Sequence, residues 1–233
     1  MQQLAENIWI VEGPSVPFLG LPYSTRMTII RLDNRKLWIH SPIALNDKLL
    51  AKIALLGEVK YLVAPNHLHH LFIEPWQRQF PNARLYGTEQ LIIKRNDLDF
   101  DGALTNNPSE VWPWQEQIKQ VLFTGSPLMQ ECVFYHPISG VLVVTDLVEN
   151  FNLSGFNWWQ RTLAKLTGIV APNGKMPLDW RLSFMFGKAT ARQHLKLILS
   201  WQATTLVMSH GDIIQEDATN FLRQSFGWLI KAE

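Results

Sequence analysis

Lys60-Tyr61-Leu62-Val63-Ala64-Pro65-Asn66-His67-Leu68-His69-His70, residues 60–70, holds three of the seven histidines of this 233-residue chain. Its first five residues are rich in β-formers and stop at a proline, which predicts a short strand ending at Ala64. Three imidazoles then fall within four residues, just past the C-terminal end of that strand. Ligand sites in α/β folds gather at such ends. Neutral imidazole is the commonest transition-metal side-chain ligand, and one loop offering several of them has met much of the entropic cost of assembling a site. The competing reading is a cluster that caps a helix and hydrogen-bonds within the core.

Upstream, the sequence predicts strands at Ile8 to Glu12, Met27 to Leu32 and Lys36 to His40, the last two joined through Asp33-Asn34-Arg35. Asn46 reads as the N-cap of a helix running to Leu56 and stopped by Gly57. Downstream, a helix follows the histidines with Pro75 in its first turn and is closed by Pro81. Arg84 to Tyr86 is a strand, Thr88 to Lys94 a helix, and Asp97 to Pro113 a loop. Strands at Gln120 to Phe123, Glu131 to His136 and Val141 to Thr145 come next, the last two turning at Pro137-Ile138-Ser139-Gly140. Helices are expected at Phe156 to Leu166, Ala189 to Trp201 and Glu216 to Ile230, with a loop at Val170 to Asp179 and a strand at Thr205 to Ser209. Hairpins first and interleaved helices later suit two mixed sheets better than one parallel sheet.

Two of these strands end on chemistry. Val141-Leu142-Val143-Val144-Thr145 stops at Asp146, and Thr205-Leu206-Val207-Met208-Ser209 stops at His210. An apolar strand that ends on a carboxylate or an imidazole places that group at the sheet rim. Taken singly, Asp146 reads as a helix N-cap and His210 as a strand-end histidine satisfied by backbone. His40 reads as a buried structural group, and Cys132 as a small buried hydrophobe without a nearby base. Trp158 and Trp159 lie on a short amphipathic helix, where Arg161 and Lys165 leave room for a peripheral membrane contact.

Composition narrows the classes. The chain is 47% hydrophobic and 18% charged, which is ordinary for a globular protein. Its net charge of +1 and the lack of a basic run argue against nucleic acid as partner. A single cysteine rules out an internal disulfide and fits a reducing compartment. The N-terminus lacks the pattern of a signal peptide, and no stretch approaches the length of a membrane span, so the cytoplasm is the expected location.

The order of these segments resembles the metallo-β-lactamase superfamily, whose first motif, His-x-His-x-Asp-His, follows a strand. Residues 65–70 overlay it with His67 and His70 in place, Pro65 where the first histidine belongs and His69 where the aspartate belongs. Thr145-Asp146 resembles the segment carrying the metal-bridging aspartate, and Ser209-His210-Gly211 resembles the final histidine segment. The Gly-His-x-x-Gly motif should fall near residues 126–130, where Pro127 takes the ligand position. Ser24-Thr25-Arg26-Met27, Ala64-Pro65-Asn66 and Leu178-Asp179-Trp180-Arg181 resemble an uncharacterised branch of the same superfamily.

The resemblance implies one αββα domain over 1–233, with two mixed β-sheets packed face to face and helices on both outer sides. It implies that the first metal site, keeping only His67, is lost. The second would keep His69, His70, Asp146 and His210, holding one divalent transition metal, zinc ahead of iron or manganese. The implied activity is hydrolysis of a small ester, lactone, amide, thioester or phosphoester by a metal-activated water. Asp146 would be a catalytic ligand and His67 would move protons. The alternative is a fold kept for binding or structure, with no metal because the site has decayed. The identity of the small-molecule substrate and the oligomeric state stay open at this stage.

Overall fold

The computed structural model describes residues 1–18 and 20–230. The chain opens with β1 (Gln2–Ala5), β2 (Ile8–Phe18), β3 (Leu21–Arg31) and β4 (Lys36–His40). Then come α1 (Asp47–Leu56), β5 (Glu58–Ala64), α2 (Ile73–Gln79), β6 (Arg84–Gly87), α3 (Glu89–Lys94) and β7 (Gly102–Ala103). The second half holds β8 (Lys119–Phe123), β9 (Glu131–His136), β10 (Val141–Val143), α4 (Trp158–Thr167), α5 (Leu178–Ser183), α6 (Lys188–Ser200), β11 (Thr205–Val207) and α7 (Ala218–Ser225). Strands β1 to β7 form one sheet in sequence order, and the second sheet runs β11-β10-β9-β8. Both are mixed. The first is antiparallel through β4 and parallel from β4 to β7, and in the second only β10 and β11 are parallel.

Strand alternation builds the layers. In β10, Val141 and Val143 face the other sheet while Leu142 faces α6 and α7. In β4, Trp38 faces inward while Leu37 and Ile39 join the layer holding Leu49 and Ile53 of α1 and Ile73 and Trp76 of α2. One apolar layer therefore lies between the sheets and one lies outside each, giving the αββα sandwich that the strand pattern predicted. Strands covered on both faces carry no polar alternation, and all six residues of β9 are buried.

Several local signals act as read. The Asn46 side chain accepts from Leu49 N–H at 2.9 Å and caps α1, which stops at Gly57. At α4 the structure adds a signal not read above, a capping box of Asn157 and Gln160, so the helix starts at Trp158 rather than Phe156. Other elements differ from expectation. β2 runs on to Phe18 despite Gly13, Pro14 and Pro17, because a register shift between Gly13 and Val16 absorbs the residues that cannot pair regularly. Helix α5 lies partly in the expected loop at 170–179. Helix α7 ends at Ser225 rather than Ile230.

Trp38 anchors the layer between the sheets. Its ring stacks on His40 at 5.5 Å and meets Phe134 of the opposite sheet edge-on at 4.8 Å. Burial, with the charge of His69 adding to it, pushes the His40 imidazole down to about 3. Two outcomes follow. Trp38→Ala should cost about 3–5 kcal/mol in urea unfolding, against a few tenths for exposed Leu128→Ala. Unfolding should release His40 to protonate near its ordinary 6.5, so its stabilising effect is present above pH 6.5 and is lost as pH falls toward about 3. In His40→Phe the stability-against-pH slope in that window should drop by up to about 1.4 kcal/mol per pH unit; an unchanged slope would show that His40 does not titrate on unfolding.

Candidate metal centre

Three strand ends meet at one rim of the sandwich. His69 follows β5 of the first sheet, while Asp146 and His210 follow the parallel pair β10 and β11 of the second. Asp146 lies between the two imidazoles, with Oδ2 3.1 Å from His69 Nε2 and Oδ1 2.8 Å from His210 Nε2. One ligand atom from each residue lies within 4.8 Å of the other two, the one such His/Cys/Asp/Glu group found among the described residues. All three side chains are nearly closed to solvent.

Each is held from behind. His210 Nδ1–H donates to the Ser24 carbonyl at 2.6 Å, and His69 Nδ1 lies 2.5 Å from Ser41 Oγ. The Nε2 atoms are thereby turned inward. Arg26, reaching across from β3, donates to the carbonyls of Met208 and Gly211 and clamps the turn that carries His210. Gly211 sits at φ +96°, and a Cβ there would meet the Asn150 carbonyl oxygen at 2.1 Å, so only glycine fits after His210. Asn66 ties the two sheets' loops together. Its Oδ1 accepts from Leu68 and His69 N–H, while its Nδ2 donates to Asp146 Oδ2 at 2.7 Å and to Thr145 Oγ1 at 2.9 Å. Glu131, at the start of β9, accepts the N–H groups of Thr145, Asp146 and Leu147 at 2.7–3.0 Å.

Electrostatics sort the buried acids. Burial works to raise the Asp146 carboxyl, but the two imidazoles overcome it and hold the group well below the carboxylate range. Burial would lower His69, and Asp146 instead raises it. Glu131 has no cation against it, so burial, reinforced by Asp146, pushes it up to about 7 even against the pull of its backbone donors. Glu149 is raised well above the carboxylate range by burial and then by Asp146 and Asp179; Tyr23 OH lies 3.4 Å from its Oε2. A carboxyl kept neutral in this way is a proton donor at neutral pH.

His67 and His70 are not in this group. With Asn66 Oδ1 capping the N–H groups of Leu68 and His69, the chain turns so that only His69 faces Asp146. His70 Nδ1 lies instead 3.2 Å from the Arg95 guanidinium. Burial, with Lys94 and Arg95 beside it, pushes this imidazole down to about 4. The converging group therefore holds three of the four expected donors, while His70 lines the same cleft with its Nδ1 turned to Arg95. His67 has its carbonyl bonded to Lys94, its ring stands outside the cleft lining, and its imidazole is lowered by burial and by Lys94. Among the residues without an expected role are Asn66, Glu131 and Glu149. A lone Glu before the apolar run Cys132 to Tyr135 was the available signal for Glu131.

A cleft of about 680 Å³ opens over the three residues, and its wall is mostly apolar. Leu21 and Tyr23 of β3, Leu163 of α4 and Leu182 of α5 line it, with Asp146, Glu149 and His210 at its polar end. Two imidazoles and one carboxylate match the donor set of a divalent metal with an open position for water.

Solved structures similar to this fold include metallo-β-lactamases. The DIM-1 metallo-β-lactamase exposed to ceftazidime is 16% identical with a TM-score of 0.65, and the match covers 98% of this chain and 94% of that one. The metallo-β-lactamase of Pontibacter korlensis is 17% identical with a TM-score of 0.63, covering 98% and 97%. That of Erythrobacter litoralis, with β-mercaptoethanol in its active site, is 12% identical with a TM-score of 0.66, covering 98% and 94%. Identities this low show a shared fold alone. No curated protein matches the sequence. The model of a domain of unknown function, DUF4336, matches residues 5–155. The chain therefore belongs to the DUF4336 family and carries it on a metallo-β-lactamase-like fold.

Proposed function

We propose that this protein is a metal-dependent hydrolase with a mononuclear site, acting on a small substrate with an apolar portion: an ester, lactone, amide, thioester or phosphoester. The observation that carries the reading is the group His69, Asp146 and His210 at the polar end of the apolar cleft. These residues would hold one divalent transition metal, zinc first by its preference for such donors. When bound, the metal would acidify a water and polarise the carbonyl or phosphoryl oxygen under attack.

The chain's own groups supply the rest. Ser24 and Ser41 keep both Nε2 atoms directed at the site. Asn66 occupies part of the Asp146 carboxylate and fixes its orientation. The apolar wall excludes water and orients the substrate. Glu149, lining the same cleft with Tyr23 OH against its Oε2, would give its proton to the leaving group as the scissile bond breaks and would regain one from solvent water before the next turnover. A cytoplasmic location suits the buried free thiol of Cys132.

One observation favours a second reading, a site that has lost catalysis. Asp146 contacts both imidazoles directly, so the three polar groups satisfy one another without an ion. Metal content separates the two.

Purified protein loaded with zinc, iron or manganese should hold about one ion per chain. His210→Ala and Asp146→Ala should bring that to background, while His67→Ala and His70→Ala should leave it intact. Two ions per chain, or none after loading, would sink the mononuclear site. On a chromogenic ester with a medium-length acyl chain, Glu149→Gln should lower kcat by about 10²–10⁴-fold with metal content unchanged. A kcat within a factor of two of the parent would remove Glu149 from the reaction.

A further inference from the structure

The segment from α4 to the start of α6 is unlike the rest of the surface. It exposes Trp158 (80%), Leu166 (72%) and Phe186 (98%), together with Leu178, Leu182 and Met185. Side chains of this size are seldom left in water side by side, and a continuous exposed apolar patch marks a surface that meets something.

The apolar residues share one geography. At 100° per residue, Trp159 and Leu166 lie about 20° apart on α4, on the flank next to cleft-lining Leu163. The Trp159 ring packs against Gly20 in the β2–β3 hairpin, where a Cβ would meet it at 2.8 Å. On α5, Leu178 and Leu182 are one turn apart, and both are exposed and line the cleft. Met185 N–H bonds to the Leu182 carbonyl in the turn that follows α5, where Met185 and Phe186 are exposed. Exposed Phe18 adds to the cleft lining from β2. The cleft therefore opens through an apolar rim.

Charge decides what this face meets. From α4 to the end of α5, residues 158–183 hold Arg161, Lys165, Lys175 and Arg181 against one acid, Asp179, a net +3 within a chain whose total is +1. Arg161 and Lys165 are the exposed pair, while Arg181 is half-buried on the Thr167 carbonyl. On α4, exposed Arg161 and Lys165 flank Trp158 on the side away from the cleft. Indole and aliphatic side chains bordered by cations are what an interface of anionic headgroups over hydrocarbon accepts. A second copy fits worse, since a two-fold contact sets the same patch against itself and would face these cations with their own images.

We propose that the α4–α5 face is a docking surface for lipid bilayers carrying anionic headgroups. Among the described residues no helix is long and apolar enough to cross a membrane, so the contact is peripheral. It does not depend on the metal or on hydrolysis.

Flotation of the full chain with phosphatidylcholine vesicles, with and without phosphatidylserine, tests this. Partitioning into the phosphatidylserine vesicles should exceed that into phosphatidylcholine alone by at least about tenfold, and raised salt should reduce it. Lys165→Glu should weaken it by at least about fivefold, one basic residue at an anionic surface contributing about that factor. Trp158→Ser with Phe186→Ser should weaken it by about tenfold or more. These side chains are exposed, and an unchanged thermal midpoint would confirm the fold. Failure to float with either vesicle, equal partitioning into both, or undiminished binding by the variants would overturn the proposal. So would a wild-type dimer that the double variant splits, which would assign the face to a second copy.

Discussion

The carboxylate of Glu131 accepts three consecutive backbone N–H groups, at residues 145–147, and its Oε2 lies 3.2 Å from Asn66 Nδ2. The centre depends on this arrangement. β10 ends at Val143, Val144 N–H still bonds to the Val207 carbonyl of β11, and the three amides after it have no strand to hold them. Without Glu131 those donors would be buried and unpaired, at about 1–3 kcal/mol each. With it, Asp146 points to one place. Asn66 extends the constraint to the other sheet, since the same side chain that meets Asp146 and Glu131 also shapes the loop carrying His69. The Pro65 carbonyl, accepting from Cys132 N–H at 2.8 Å, joins the sheets beside it.

Three carboxyls buried near one rim would repel one another if all were ionised. The structure separates them by partner. Asp146 has both imidazoles and stays anionic; Glu131 has backbone donors and sits near neutrality; Glu149 has little beyond Tyr23 and keeps its proton. Neighbouring acids whose environments drive them apart are the usual arrangement where one group must hold charge and another must deliver a proton. The same proximity makes the roles interdependent, because the charge on Asp146 helps to hold Glu149 neutral.

The sandwich explains why a site of this polarity can exist. Helices on both outer faces leave the central strands, such as β9, buried, so polar groups are admitted at the strand ends, where loops can satisfy them. The cleft then extends outward between the β2–β3 hairpin and helices α4 and α5, all apolar on that side. Chemistry sits at the inner end and hydrophobic contact at the outer end.

The sequence by itself determined the elements whose cause is local. Asn46 and Gly57 bound α1, apolar runs mark β5, β10 and β11, and the residues closing those runs include the two ligand candidates Asp146 and His210. Such signals need only neighbours along the chain. Tertiary structure decided which histidine of residues 67–70 faces the centre. A loop has no periodicity to orient its side chains, and the choice of His69 over His70 came from Asn66 on one side and from Arg95 on the other. The roles of Glu131 and Glu149 were likewise invisible, because a carboxyl's charge state follows from burial and from partners many residues away. Helix α5 and the continuation of β2 past its prolines also rested on distant packing, which overrode weak local preference.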